Sequence, residues 1–155
     1  MRHGEYKKAA MRHLSTCDIL LKSIEATKTE EKQKIIYNIY YLSGYIIETS
    51  LNYAFFCLVN HKGEIETHPS YTSNGIKNHK FDSKIKFIKD NYGDLSGLPF
   101  ISTSPQNGNL YKLYRNWSTD LRYYVSTDKI IINEKIIENF IAEIKKFSTI
   151  ILKRF

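Results

Sequence analysis

Apolar residues recur along most of the chain at alternating steps of three and four. Ala10, Leu14, Cys17, Leu21 and Ile24 do so first. That spacing lines one face of a helix over about residues 5–27. Thr29 then stands as an N-cap ahead of Glu30 and Glu31, two acids suited to a first turn. The next helix is predicted over about residues 30–60. Ile35, Ile39, Leu42 and Ile46 form one stripe on it, and Ile47, Leu51, Ala54 and Leu58 a second beside the first. A helix apolar over so wide an arc belongs at the centre of a bundle.

Residues 61–78 (HKGEIETHPSYTSNGIKN) are polar and hold Gly and Pro, and they read as a surface loop. A short helix follows over about residues 79–91, with Phe81, Ile85 and Ile88 inward and Gly93 near its stop. A second loop covers residues 92–106. The fourth helix is predicted over about 107–124, with Leu110, Tyr114, Trp117 and Leu121 as its apolar side. Residues 125–132 (VSTDKIII) are β-branched enough for an extended piece, although a lone strand has no partner. Asn133 caps a last helix in which Ile137, Phe140, Ile144, Phe147 and Ile151 keep the spacing to the end. There is no repeat, linker or low-complexity tract. The expectation is a single all-α domain over residues 1–155, a bundle of about five helices around a long second one.

Composition narrows the class. The 155 residues suffice for one core without disulfides or metals. Seven Gly and three Pro exclude collagen-like and Gly/Pro-rich chains and argue against a turn-rich β-sandwich. Ser43, Glu48 and Asn52 interrupt the longest apolar runs, so no membrane span of roughly 20 apolar residues is expected. The opening MRHGEYKKAAMRH lacks an apolar core and predicts no signal peptide. Cys17 and Cys57 stand forty residues apart and read as buried free thiols, which points to a reducing cytoplasm. The five histidines form no HExxH or HxxxH pair, so neither a metal site nor a metal cofactor is expected. The net charge is +7, with +4 of it in residues 106–155. A basic chain suits polyanionic partners such as nucleic acid, and solvated lysines on helix faces are the plain alternative.

Two stripes carry candidate chemistry. Tyr41, Tyr45, Glu48 and Asn52 share one face of the long helix at i, i+4, i+7 and i+11. Tyr111, Arg115, Ser118 and Arg122 repeat that spacing on the fourth helix. Glu48 sits in YIIETSLNY, among groups expected to be buried. An unpaired buried carboxylate costs several kcal/mol, roughly, so it needs a partner. An arginine of the fourth helix, Arg115 or Arg122, is the natural one; the alternatives are a purely structural inter-helix bridge and a ligand-facing groove. The cluster Tyr37, Tyr40, Tyr41, Tyr45 and Tyr53 suits either core packing or base stacking in a single-stranded nucleic-acid or nucleotide site. Gly44 lies mid-helix at a cost of about 1 kcal/mol, the mark of a close neighbour. No GxGxxG, GxxxxGK[ST] or GxSxG is present.

Residues 41–52, YLSGYIIETSLN, resemble the second-helix signature of HEPN (higher eukaryotes and prokaryotes nucleotide-binding) domains, roughly YLxGYxxExxLK. Residues 115–123, RNWSTDLRY, resemble that family's fourth-helix region, and His79-Lys80-Phe81 fits the start of its third helix. The order of elements agrees as well. The resemblance implies an all-α bundle, a homodimer with the motif helices lining a groove, and a place in toxin–antitoxin or phage-defence systems. Many members are metal-independent ribonucleases with an Arg-x4–6-His motif; others are degenerate modules, commonly paired with a nucleotidyltransferase. Here Arg115-Asn116 matches the opening of the motif, but Asp120 occupies the His position and no His follows Arg115. Asn52 stands where a Lys is common. An ordinary aspartate is a weak base at pH 7 and repels phosphate.

The resulting expectation is a degenerate HEPN module that binds RNA or a nucleotide without a cofactor. Arg115 meets a phosphate, Glu48 orients Arg122, Tyr45 or Tyr111 stacks on a base, and Asn52 lines the groove. One alternative is a metal-independent endoribonuclease that uses Arg115 with Asp120 or His79. Another is a non-catalytic dimerisation or adaptor module for a nucleotidyltransferase partner, docking through Tyr41 or Tyr111.

Overall fold

The computed structural model describes residues 2–73, 76–92, 108–123 and 132–155. Among these residues regular structure is helical throughout, and the architecture is an all-α bundle. Its main elements are α1 (Gly4–Ile24), α2 (Thr29–Leu58), α3 (Ser70–Ser73), α4 (Phe81–Tyr92), α5 (Gly108–Asn116) and α6 (Glu134–Arg154). Two 3-10 turns, Ile65–Thr67 and Thr119–Tyr123, complete it.

The second helix is central, as its wide apolar arc predicts. α1 runs antiparallel to it: Cys17 lies on Ile39, His13 on Tyr45 and Tyr6 on Phe56. α6 runs parallel to it, with Tyr40 against Phe140 and the Ser50 and Ser148 hydroxyls 2.9 Å apart. Burial follows the three-and-four spacing. Ala10, Cys17 and Ile24 of α1, and Ile137, Phe140, Ile144, Phe147 and Ile151 of α6, are buried. Asn133 caps α6 as expected, its side-chain oxygen accepting from the Ile136 N–H at 2.9 Å. At α2 the cap differs from expectation. Thr29 is already helical; Lys28, in extended backbone, takes the cap position without a side-chain bond. Glu30 and Glu31 still lie in the first turn, where the helix dipole favours them.

The end of α2 is a Schellman turn. Asn60 adopts φ 49°, a conformation Asn tolerates. The His61 N–H then reaches the Phe56 carbonyl and the Asn60 N–H that of Cys57. Residues 61–78, expected to be a surface loop, instead carry a 3-10 turn and α3, and they hold Ile65 and Ile76 in a second small core. Those two isoleucines pack with Phe55 and Phe56, joined at the edge by Tyr6, Tyr71 and Phe87. Two well-spaced apolar residues thus outweigh a polar composition, because they find a ready partner at the end of α2.

The fourth predicted helix is also different. It stops at Asn116 and gives way to the turn Thr119–Tyr123. Tyr111, Arg115, Ser118 and Arg122 therefore do not form one continuous stripe. The extended piece expected at 125–132 lies outside the described residues except for Ile132, which is buried. The loop at 92–106, with Gly93, lies outside them beyond Tyr92. Among the described residues no helix is long and apolar enough to cross a membrane.

Candidate functional site

The break after Asn116 is caused by one indole. Trp117 lies flat on α2 over Gly44, and a Cβ added there meets the ring at 1.8–2.2 Å. The close neighbour that the mid-helix glycine demands is thus a side chain. The Trp117 Nε1–H donates to the Tyr41 carbonyl at 3.0 Å, a carbonyl still within α2. Phe81 stacks on the indole at 5.0 Å and Tyr45 meets it edge-on at 5.4 Å. This aromatic plug joins α2, α4 and the end of α5. Tyr40, one turn earlier on α2, adds a buried bond from its hydroxyl to the Leu113 carbonyl at 2.7 Å.

One turn beyond Gly44 is Glu48, only 6% exposed. Its partner is neither Arg115 nor Arg122. Its Oε2 meets His79 Nδ1 at 2.8 Å and its Oε1 accepts from Lys84 Nζ at 3.3 Å. Lys84 is fully buried and donates also to the Asn78 carbonyl at 2.5 Å. Burial pushes the Lys84 ammonium below its ordinary range, and the Glu48 charge opposes that shift. The expected arginine partner is replaced because α4, not α5, covers this part of α2. Lys84 is the group that sequence reasoning missed. Its signal was present: it shares the inward face of α4 with Phe81 and Ile88, at i+3 and i−4. A lysine on an apolar stripe asks for a buried acid.

The geometry also assigns the His79 tautomer. Glu48, paired with an ammonium, accepts only, so His79 donates through Nδ1. In the neutral imidazole the other ring nitrogen, Nε2, then carries the lone pair, and half of the His79 side chain is exposed. A carboxylate that fixes an imidazole in this way prepares it as a base or, once protonated, as a donor to an anion.

His79 opens onto a hollow of about 430 Å³ between the start of α4 and the end of α5. Arg115, Lys80, Phe81 and Trp117 line it too. Arg115 is exposed and pairs with Asp82, which also accepts from the Tyr114 hydroxyl at 3.1 Å. That carboxylate raises the Arg115 pKa; burial first, and then the carboxylate, raise that of Tyr114. A second hollow of about 420 Å³ lies on the far side of Asp82 and Tyr114, with Tyr111, Lys86 and Lys89 in its wall.

The remaining predicted residues divide. Tyr45 is half-buried beside the first hollow, its hydroxyl 3.2 Å from that of Tyr41; burial and that bond push its pKa up to about 12. Tyr111 lines the second hollow, so the two tyrosines do not share a site. Arg122 is exposed and stacks over the Tyr123 ring at 4.6 Å, within electrostatic reach of Tyr45. Glu48 therefore does not orient it. Asp120 is exposed in the 3-10 turn, its N–H on Ser118 Oγ at 3.3 Å, and is not among the residues lining the first hollow. Asn52 does not line the groove either. It is buried on α2, its amide within hydrogen-bond reach of the Tyr6 hydroxyl of α1, and its Oδ1 has no partner among the described residues. No group of three metal-ligating side chains gathers among the described residues.

Comparison with protein-family models, with curated proteins and with solved structures gives no match for this chain.

Proposed function

We propose that this chain is a HEPN-like module that binds RNA or a nucleotide, with a phosphate held in the first hollow. One observation carries the reading: His79 and Arg115, 36 residues apart in sequence, line the same concavity, and a buried carboxylate orients the histidine. The guanidinium offers the paired donors that match a phosphoryl group. Lys80 adds a further charge at the rim. The aromatic rings beside them suit a base.

The test is fluorescence anisotropy with labelled single-stranded RNA and with ATP as competitor, over a range of salt. Arg115→Ala is expected to weaken binding about 10- to 100-fold, the scale of a charge-assisted bond. It is also expected to reduce the salt slope by about one counterion. His79→Ala should weaken binding with less effect on that slope. Wild-type affinity retained by both variants would sink the reading.

A second reading has a specific observation behind it. The Glu48–His79 pair is a ready general base, as a metal-independent endoribonuclease requires for the 2′-hydroxyl. Asp120, which takes the motif's His position, is not among the described residues in the wall of the first hollow, so the acid expected for the leaving 5′-oxygen is not placed there. Binding is therefore placed first. End-labelled RNA incubated in chelator should stay intact; cleavage by wild type and not by His79→Ala would make the nuclease the correct reading.

A further inference from the structure

Among the described residues Asp82 is the one acid in the wall of the first hollow, an odd choice for a site that is to hold an anion. Its two oxygens are both engaged by α5: Oδ1 by the Tyr114 hydroxyl and Oδ2 by the Arg115 guanidinium. A phenol and a guanidinium converging on two oxygens of one anionic group is also the arrangement that receives a phosphoryl group. Asp82 borders both hollows, so it stands where an anion entering from either side would bind. The bridge is wet, with the Asp82 side chain 61% exposed and that of Arg115 48%. Exposed pairs of this kind contribute little to stability and open easily. Glu48 is the opposite case, buried and tied to a buried lysine.

We propose that Asp82 is an internal competitor for the anion site. A phosphoryl anion entering the hollow takes Arg115 and Tyr114 from the Asp82 carboxylate, which turns out into solvent. Asp82 thereby sets a threshold, since an anion gains only the difference between its own hold on the two donors and the carboxylate's. This inference rests on the binding reading above.

The experiment measures the affinity of the whole chain for a labelled oligouridylate, with inorganic phosphate as competitor. Asp82→Asn keeps the side-chain shape and removes the charge. It is expected to bind about fivefold tighter, the upper range for breaking an exposed bridge. Adding Arg115→Ala should erase that gain. Asp18→Asn is the control: it removes the same charge from α1, where Asp18 pairs with Lys145 of α6 in a similarly exposed bridge. It should change affinity by less than about twofold. Wild-type binding with no gain in Asp82→Asn would make the bridge structural only and leave the binding reading standing. An equal gain in Asp18→Asn would reduce the effect to net charge and overturn the proposal. Absence of binding in wild type and in Asp82→Asn alike would end both.

Discussion

The two sides of α2 are built from different materials. Toward α1 and α6 the contact is almost wholly apolar: Cys17, Ile39, Phe140, Ile144 and Phe147 are buried, and the Ser50–Ser148 bond is a small polar inclusion. Toward α4 and α5 the contact is keyed by polar groups. Lys84 is locked to Glu48, Trp117 to the Tyr41 carbonyl and Tyr40 to the Leu113 carbonyl. Apolar contact gains with area and tolerates small shifts. Polar keys work only at one register, because each unmet buried group costs its full desolvation. The keyed side is also where the two described hollows lie, with Arg115 and Lys80 in the wall of the first. Register there positions His79, so the proposed binding and stability should be coupled on that side and separate on the other.

The largest effects test this coupling directly. Phe147→Ala on the apolar side is expected to cost about 3–5 kcal/mol through the cavity it leaves. Glu48→Ala on the keyed side is expected to cost about 3–5 kcal/mol, because it strands a buried ammonium. The two are comparable in a denaturant melt and should differ in binding. Folded Phe147→Ala should keep wild-type affinity for RNA, whereas Glu48→Ala should lose the part that depends on His79. Replacing Glu48 and Lys84 together by Met should recover most of the stability but none of that affinity. Equal affinity in Phe147→Ala and Glu48→Ala would dissolve the distinction.

A smaller effect sharpens it. Gly44→Ala drives a methyl into Trp117 and is expected to cost about 1–3 kcal/mol. In a Trp117→Ala background the clash is gone. The same substitution should then stabilise by about 1 kcal/mol, the helix-propensity difference between Gly and Ala. A double-mutant cycle by urea melts reads the change of sign. Destabilisation by Gly44→Ala in both backgrounds would mean that some other neighbour needs the glycine.

The same contrast explains what was legible in the sequence. α1, α2 and α6 could be read to within a few residues, because the apolar side is a matter of periodicity, and periodicity is local. The need of Glu48 for a partner was legible too, from its apolar surroundings alone. The partner was not. His79 and Lys84 lie 31 and 36 residues away, and their register on Glu48 depends on how α4 settles against α2. The break after Asn116 was hidden because Tyr114, Trp117 and Leu121 fit a single helical stripe with no Gly or Pro between them. It is decided by the fit of one indole over one glycine, a tertiary contact that overrides local pattern. Asn52 falls with the site in the sequence pattern because it shares a face with Glu48. Along a helix as wrapped as α2, one turn is enough to pass from the α4 side to the α1 side, where Tyr6 awaits it.

The smallest expected effect separates the two sides most cleanly. Asp18 and Lys145 form an exposed bridge at 3.0 Å between α1 and α6, on the apolar side. Asp82 and Arg115 form an exposed bridge on the keyed side. As bridges they are equivalent, each between partly solvated side chains of two helices, and neither contributes much to folding. Lys145→Ala and Arg115→Ala are therefore both expected to shift stability by no more than about 0.5 kcal/mol. RNA affinity should not follow stability. Lys145 lines neither of the two described hollows, and its loss removes only a distant charge that salt screens. Arg115 is the donor to the phosphate in the proposed site. If Lys145→Ala weakened binding as much as Arg115→Ala at moderate salt, the charge of the whole surface, rather than the hollow, would be what attracts the ligand.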